Sequence, residues 1–162
     1  MNDTPDIELL RCYAETGAAQ AEADAVMVVA MQKAQVYTTD VVKAGKHLGV
    51  AARLFATDNK DWLPTTFDEL RNEMNLRPDG TFSGGILPDQ FEFFPHERVI
   101  SEAEPTLILF REKAASQLPD GTWQRNYCLA DGSAQTRSNA TGDFTDYDRA
   151  GTGTAANAPK KR

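Results

Sequence analysis

From Met27 onward, apolar and small residues return every three or four positions: Met27, Ala30, Ala34, Tyr37, Val41, Ala44, Leu48, Ala51 and Phe55. That spacing puts them on one face of an α-helix and makes a heptad-like seam. A helix over 18–57 would be about 60 Å long at 1.5 Å per residue, which is longer than a compact domain needs. Part of it must therefore pack on something else. The seam is rich in alanine, which suits close approach to a sheet or a second helix but supplies little burial energy per position. The β-branched run "VYTTDVV" at 36–42 is the expected place for a kink. Upstream, Ile7, Leu10, Tyr13 and Ala14 also have helical spacing, with Asp3 or Thr4 as cap and Pro5 in the first turn. Gly17 is the expected stop, after which the alanine-rich "AAQAEADA" restarts the helix. The pattern thus divides the first part of the chain into a short amphipathic segment, 1–17, and a long helix, 18–57.

Helical periodicity ends in the polar stretch at 57–61 and at Pro64. Thr66 followed by Glu69 is a capping box, which predicts a second, short helix from Thr66 to about Met74, with Trp62 and Leu63 as the corner before it. After the loop "RPDGTFSGG" the period changes to that of strands: "FEFF" at 91–94, "TLILFRE" at 106–112, "TWQRNYCLA" at 122–130 and "SAQTR" at 133–137. The turn signals "PDG" at 119–121 and "DG" at 131–132 join these runs into an antiparallel meander, with "TLILF" as its best buried strand. In the third run Trp123, Arg125 and Tyr127 fall on one face, and Gln124, Asn126 and Cys128 on the other. The fold class expected is α+β: a long N-terminal helix packed on a small antiparallel meander. Residues 58–149 complete one domain with the helix, and 150–162 form a disordered tail.

Composition narrows the partners. A net charge of -7 and a pI near 4.8 oppose binding to phosphate backbones, and the one basic cluster, Lys160, Lys161 and Arg162, ends the chain as a solvated tail. Mean hydropathy is -0.49, and the longest apolar run, "AVMVVAM" at 25–31, is far shorter than the roughly 20 residues a membrane span requires. No basic and apolar leader opens the chain, so a cytoplasmic location is the default expectation. Cys12 and Cys128 have neither the spacing of a metal site nor that of a redox motif.

Two resemblances cover different stretches. The opening "DIELLRCYAETGAAQAE" resembles the first helix of extracytoplasmic-function-type sigma factors. It implies contact with core RNA polymerase, but the likeness ends near Glu22, and the promoter-melting and promoter-reading helices of that family do not follow. Residues 35–149 resemble the soluble domain of bacterial pseudopilin-like proteins of type II secretion, through "KAGKHLGVAARLFATDNKDWLPTTFDEL" and "PTLILFREKAASQLPDGTWQRNYCLADGSAQT", in which "LADGSAQ" resembles the hairpin before the last strand of such domains. This second likeness implies a protein-assembly role and, if it extends to function, a place in the periplasm or cell envelope. The prepilin cleavage motif, the apolar span beginning with Phe and the loop cysteine pair of that family are absent from this sequence.

Candidate chemistry is sparse. Asp143, Asp146 and Asp148 in "GDFTDYDRAG" are hard oxygen donors of the type calcium takes, and pseudopilin-like folds can carry calcium there, but the spacing matches no EF-hand and a solvated acidic tail is the plainer reading. His47 and His96 stand alone in sequence, and "REK" at 111–113 reads as the solvent end of a strand. No catalytic or cofactor-binding constellation emerges. The expected function is that of a non-enzymatic binding or assembly module needing no cofactor. It would act through self-association or a protein partner on the long helix, around Met27, Tyr37 and Val41, with a degenerate sigma-factor-like regulator as the alternative.

Overall fold

A computed structural model describes residues 7–152. The expected cap at Asp3 or Thr4 and the basic C-terminal cluster lie outside them. The first helix, α1 (Ile7–Asp58), is one element of 52 residues, about 78 Å long at 1.5 Å per residue. Gly17 does not stop it. A glycine costs a helix about 1 kcal/mol relative to alanine, and Ala14, Ala18, Ala19, Ala21 and Ala23 around it are the best helix formers. The β-branched run does not break it either. Thr38 and Thr39 return their hydroxyls to the carbonyls of Ala34 and Gln35, which keeps those polar groups satisfied inside the helix.

The sheet contains β1 (Phe91–Phe93), β2 (Ile108–Glu112), β3 (Ser116–Gln117), β4 (Trp123–Leu129) and β5 (Ala134–Asn139), all paired antiparallel. β2 lies between β1 and β4. β4 pairs with β2 and β3 in turn, and with β5 through the register Trp123↔Asn139 to Cys128↔Ala134. The meander anticipated from the turn dipeptides is present; β3, only two residues long, had no sequence signal. Gly121 and Gly132 take positive φ of 88° and 83° in the two hairpin turns, a conformation that favours glycine.

Each face of the sheet is covered. On one side the second half of α1 packs through Val41, Ala44, Leu48, Ala51 and Ala52 against Phe91, Leu109, Phe110 and Cys128. The small residues of the seam set this approach. A Cβ on Gly49 would lie 2.8 Å from Cys128 Sγ and 3.1 Å from Gly132 Cα, so the helix rides directly on the β4–β5 hairpin. On the other side Ile108, Tyr127 and Leu129 meet Phe144, Trp123 and Tyr147. Phe144 and Tyr147 belong to the approach and body of a short helix, α2 (Thr145–Gly151).

Three expectations need correction. The segment read as a solvated acidic tail folds into α2, because Phe144 and Tyr147 bury against Tyr127 and supply the apolar area the charge count concealed. The proposed helix from Thr66 to Met74 reduces to a 3-10 turn, Asp68–Leu70. The capping box does form, with the Glu69 carboxylate accepting the amides of Thr65 and Thr66 and the Glu69 amide donating to the Thr66 hydroxyl. Asn75, at φ 48°, then turns the chain before enough helix accumulates to repay nucleation. Lastly, Glu112 does not mark a solvent end: it is 3% exposed.

Candidate functional site

α1 changes environment along its length. Every described side chain from Ala14 to Val29 is exposed; partial burial starts at Ala30 and full burial at Val41. Its first half therefore runs clear of the sheet. In that free half, Val26, Met27, Val28 and Val29 are 65%, 46%, 56% and 48% exposed. Four consecutive positions at 100° steps point in four directions, so with Ala25, Ala30 and Met31 the helix is apolar all round for two turns. A helix apolar on every side belongs in a buried setting. Among the described residues nothing of this chain covers these turns except at their C-terminal edge. There Met27, Met31 and Gln35 form a shallow apolar groove with Leu118 of the β3–β4 turn and with Gln124.

A buried polar network fixes the helix where it leaves the sheet. Tyr37 Oη donates to one Glu112 oxygen at 3.0 Å; the other accepts the Asn126 amide at 3.3 Å and its side-chain Nδ2 at 2.9 Å. Asn126 Oδ1 in turn accepts the Thr136 hydroxyl at 2.6 Å, and Gln124 donates to Thr38 at 2.8 Å. A carboxylate out of water must have its lone pairs engaged, and here the helix, β4 and the Asn126 side chain engage them. Burial, the Glu112 charge and the hydrogen bond to it push the Tyr37 phenol up to about 12.

The residues singled out from sequence separate in space. Met27 is exposed on the free turns, Tyr37 is 38% exposed and tied to Glu112, and Val41 is 1% exposed in the core. Val41 is thus a packing residue and not part of an accessible surface, because the seam turns under the sheet between Tyr37 and Val41. The three aspartates also diverge. Asp143 accepts the amide and hydroxyl of Thr145, Asp146 stands beside Arg149, and Asp148 pairs with Arg111 and Arg125 under the sheet. No group of three or more potential metal ligands occurs among the described residues. His47 lies edge-on to Phe82, and His96 bonds to the Ile108 carbonyl at 2.8 Å; burial depresses the His96 pKa. Cys128 is buried, and desolvation followed by the Asp131 charge pushes its thiol up to about 12, which removes it from thiolate chemistry near neutrality.

Sequence reasoning missed Glu112 and the apolar turns beyond Met27. The run "AVMVVAM" signalled the latter through its lack of any polar face. No family model matches this chain, and no curated protein or solved structure matches it. No helix among the described residues is long and apolar enough to cross a membrane.

Proposed function

We propose that this protein is a non-enzymatic assembly module of pseudopilin-like type, in which the sheet and the second half of α1 form a rigid body and the free half of α1 joins a protein partner. The observation that carries this reading is the two-turn apolar belt at 25–31, exposed on a helix that projects from its own domain. An exposed contiguous apolar surface on a soluble chain marks an interaction site. The Tyr37–Glu112–Asn126 network, buried at Glu112 and Asn126, supports the reading, since it fixes the direction in which α1 leaves the sheet.

Sedimentation of the full chain beside one starting at Gln35, over a wide concentration range, tests the proposal. Association of the full chain alone is expected. Monomers at all concentrations for both, with no binding of an apolar dye that Val26→Asp or Val29→Asp would reduce, would contradict it. Retention of core RNA polymerase by the full chain and not by the shorter one would move the assignment to the transcription reading.

A further inference from the structure

α1 carries a second exposed apolar feature. Val29, Val36 and Val50 are 48%, 62% and 52% exposed, and Leu54 is 48% exposed. Val29, Val36 and Val50 fall on one seven-residue row that also holds Glu15, Glu22, Lys43 and Thr57, all exposed. A seven-residue step drifts only about 20° around a straight helix, so the row stays on one side for its whole length. That side faces away from the sheet, because the row sits opposite Val41, Leu48 and Ala52, which are buried against it.

Charge along the same helix is divided by half. The first half, 7–32, carries Glu8, Arg11, Glu15, Glu22 and Asp24, with Arg11 paired to Glu15; the second, 33–58, carries Lys33, Asp40, Lys43, Lys46, Arg53 and Asp58. Two copies packed side by side in parallel and in register would set Glu22 on Glu22 and Lys43 on Lys43. Packed antiparallel, they set acid on base. The midpoint of α1 falls between Gln32 and Lys33. A two-fold axis there puts Val29 on the partner's Val36 and Glu22 on the partner's Lys43, and by symmetry repeats both contacts. We infer that the partner of the free helix is a second copy of this chain, joined as an antiparallel helix pair about Gln32–Lys33. This rests on the assembly-module reading and names its partner. The isologous contact closes on itself and ends at the dimer. The same axis sets Val50 beside the partner's Glu15, and Leu54, which lies off the row, beside the partner's Arg11. Interhelical charge pairs set orientation more than strength.

The test is a charge-reversal cycle on the full chain, read by sedimentation equilibrium with circular dichroism as a check on helix content. Glu22→Lys and Lys43→Glu are each expected to raise the dimer dissociation constant at least about 5-fold, and the double reversal to restore it to within about 2-fold, a recovery that added salt weakens. A Val29→Cys chain mixed with a Val36→Cys chain should form an intermolecular disulfide, and mixed Glu22→Cys and Lys43→Cys chains should do the same. Association insensitive to the single reversals and without rescue overturns the antiparallel pair and leaves the module reading standing. So does open-ended growth with concentration, which a parallel stagger of Glu22 on Lys43 would give. A chain that stays monomeric, with no change in dye binding on Val29→Asp, overturns both.

Discussion

Glu112 shows how a single side chain can orient an element. Its carboxylate is buried yet fully engaged, with Tyr37 on α1 and Asn126 on β4 as donors. Replacing it by Ala leaves the Asn126 donors and the Tyr37 hydroxyl without their acceptor. Each unsatisfied buried group costs about 1–3 kcal/mol, so Glu112→Ala should lower stability by about 2–4 kcal/mol in urea unfolding. Tyr37→Phe removes one donor at a half-exposed position and should cost about 1 kcal/mol or less. The alkaline limb follows from the Tyr37 shift. Its folded pKa is raised to about 12 from 10.0, so the folded state favours the neutral phenol. That contribution is complete below pH 10, the unfolded value, and is lost as pH rises toward 12. Tyr37→Phe should flatten the loss of stability in this window, measured by unfolding at about pH 10, 11 and 12. None of this was legible in "FREK", because alternation of charge along a strand looks the same whether the strand ends in water or under a helix.

At the scale of elements, the seam from Val41 to Phe55 could be read directly because helical period and small residues both report a face that approaches a sheet. The same period could not say where the sheet ends, and so could not separate Val41 from Met27. That boundary depends on the length of β4 and on the β3–β4 turn carrying Leu118, which sit far along the chain. The faces of β4 were legible from alternation alone: Gln124 and Cys128 meet α1 and Asn126 reaches it through Glu112, while Trp123 and Tyr127 face the α2 side. α2 was not, since the three aspartates of 143–148 outnumber the two aromatics, Phe144 and Tyr147, that bury the segment, and Asp148 becomes intelligible only beside Arg111 and Arg125. The closeness of α1 to the hairpin yields a prediction. Gly49→Ala gains about 1 kcal/mol of helix propensity but brings a methyl to 2.8 Å from the Cys128 sulfur. Overpacking costs about 1–3 kcal/mol, and the backbone of Gly132 at 3.1 Å leaves the methyl little room, so the net effect should be a loss of up to about 2 kcal/mol. Gly17→Ala, with open space around its Cβ, should instead stabilise the helix by a few tenths to about 1 kcal/mol. Thermal unfolding of the two variants side by side reads the difference in sign.

For the whole molecule, α1 is both a core element and a projection. Its second half is held by the sheet, and its first half gains nothing from its own domain, because every described side chain from Ala14 to Val29 is exposed. A helix without tertiary packing is marginal in water even when rich in alanine. The free turns should therefore open and close readily in an isolated molecule and become ordered when covered. Hydrogen exchange at residues 18–31, followed across protein concentration, tests this most directly. The assembly account predicts rapid exchange there in dilute solution and strong protection as concentration rises, while the amides of 41–56 stay protected throughout. Exchange at 18–31 that is the same at every concentration, whether fast or slow, would contradict it.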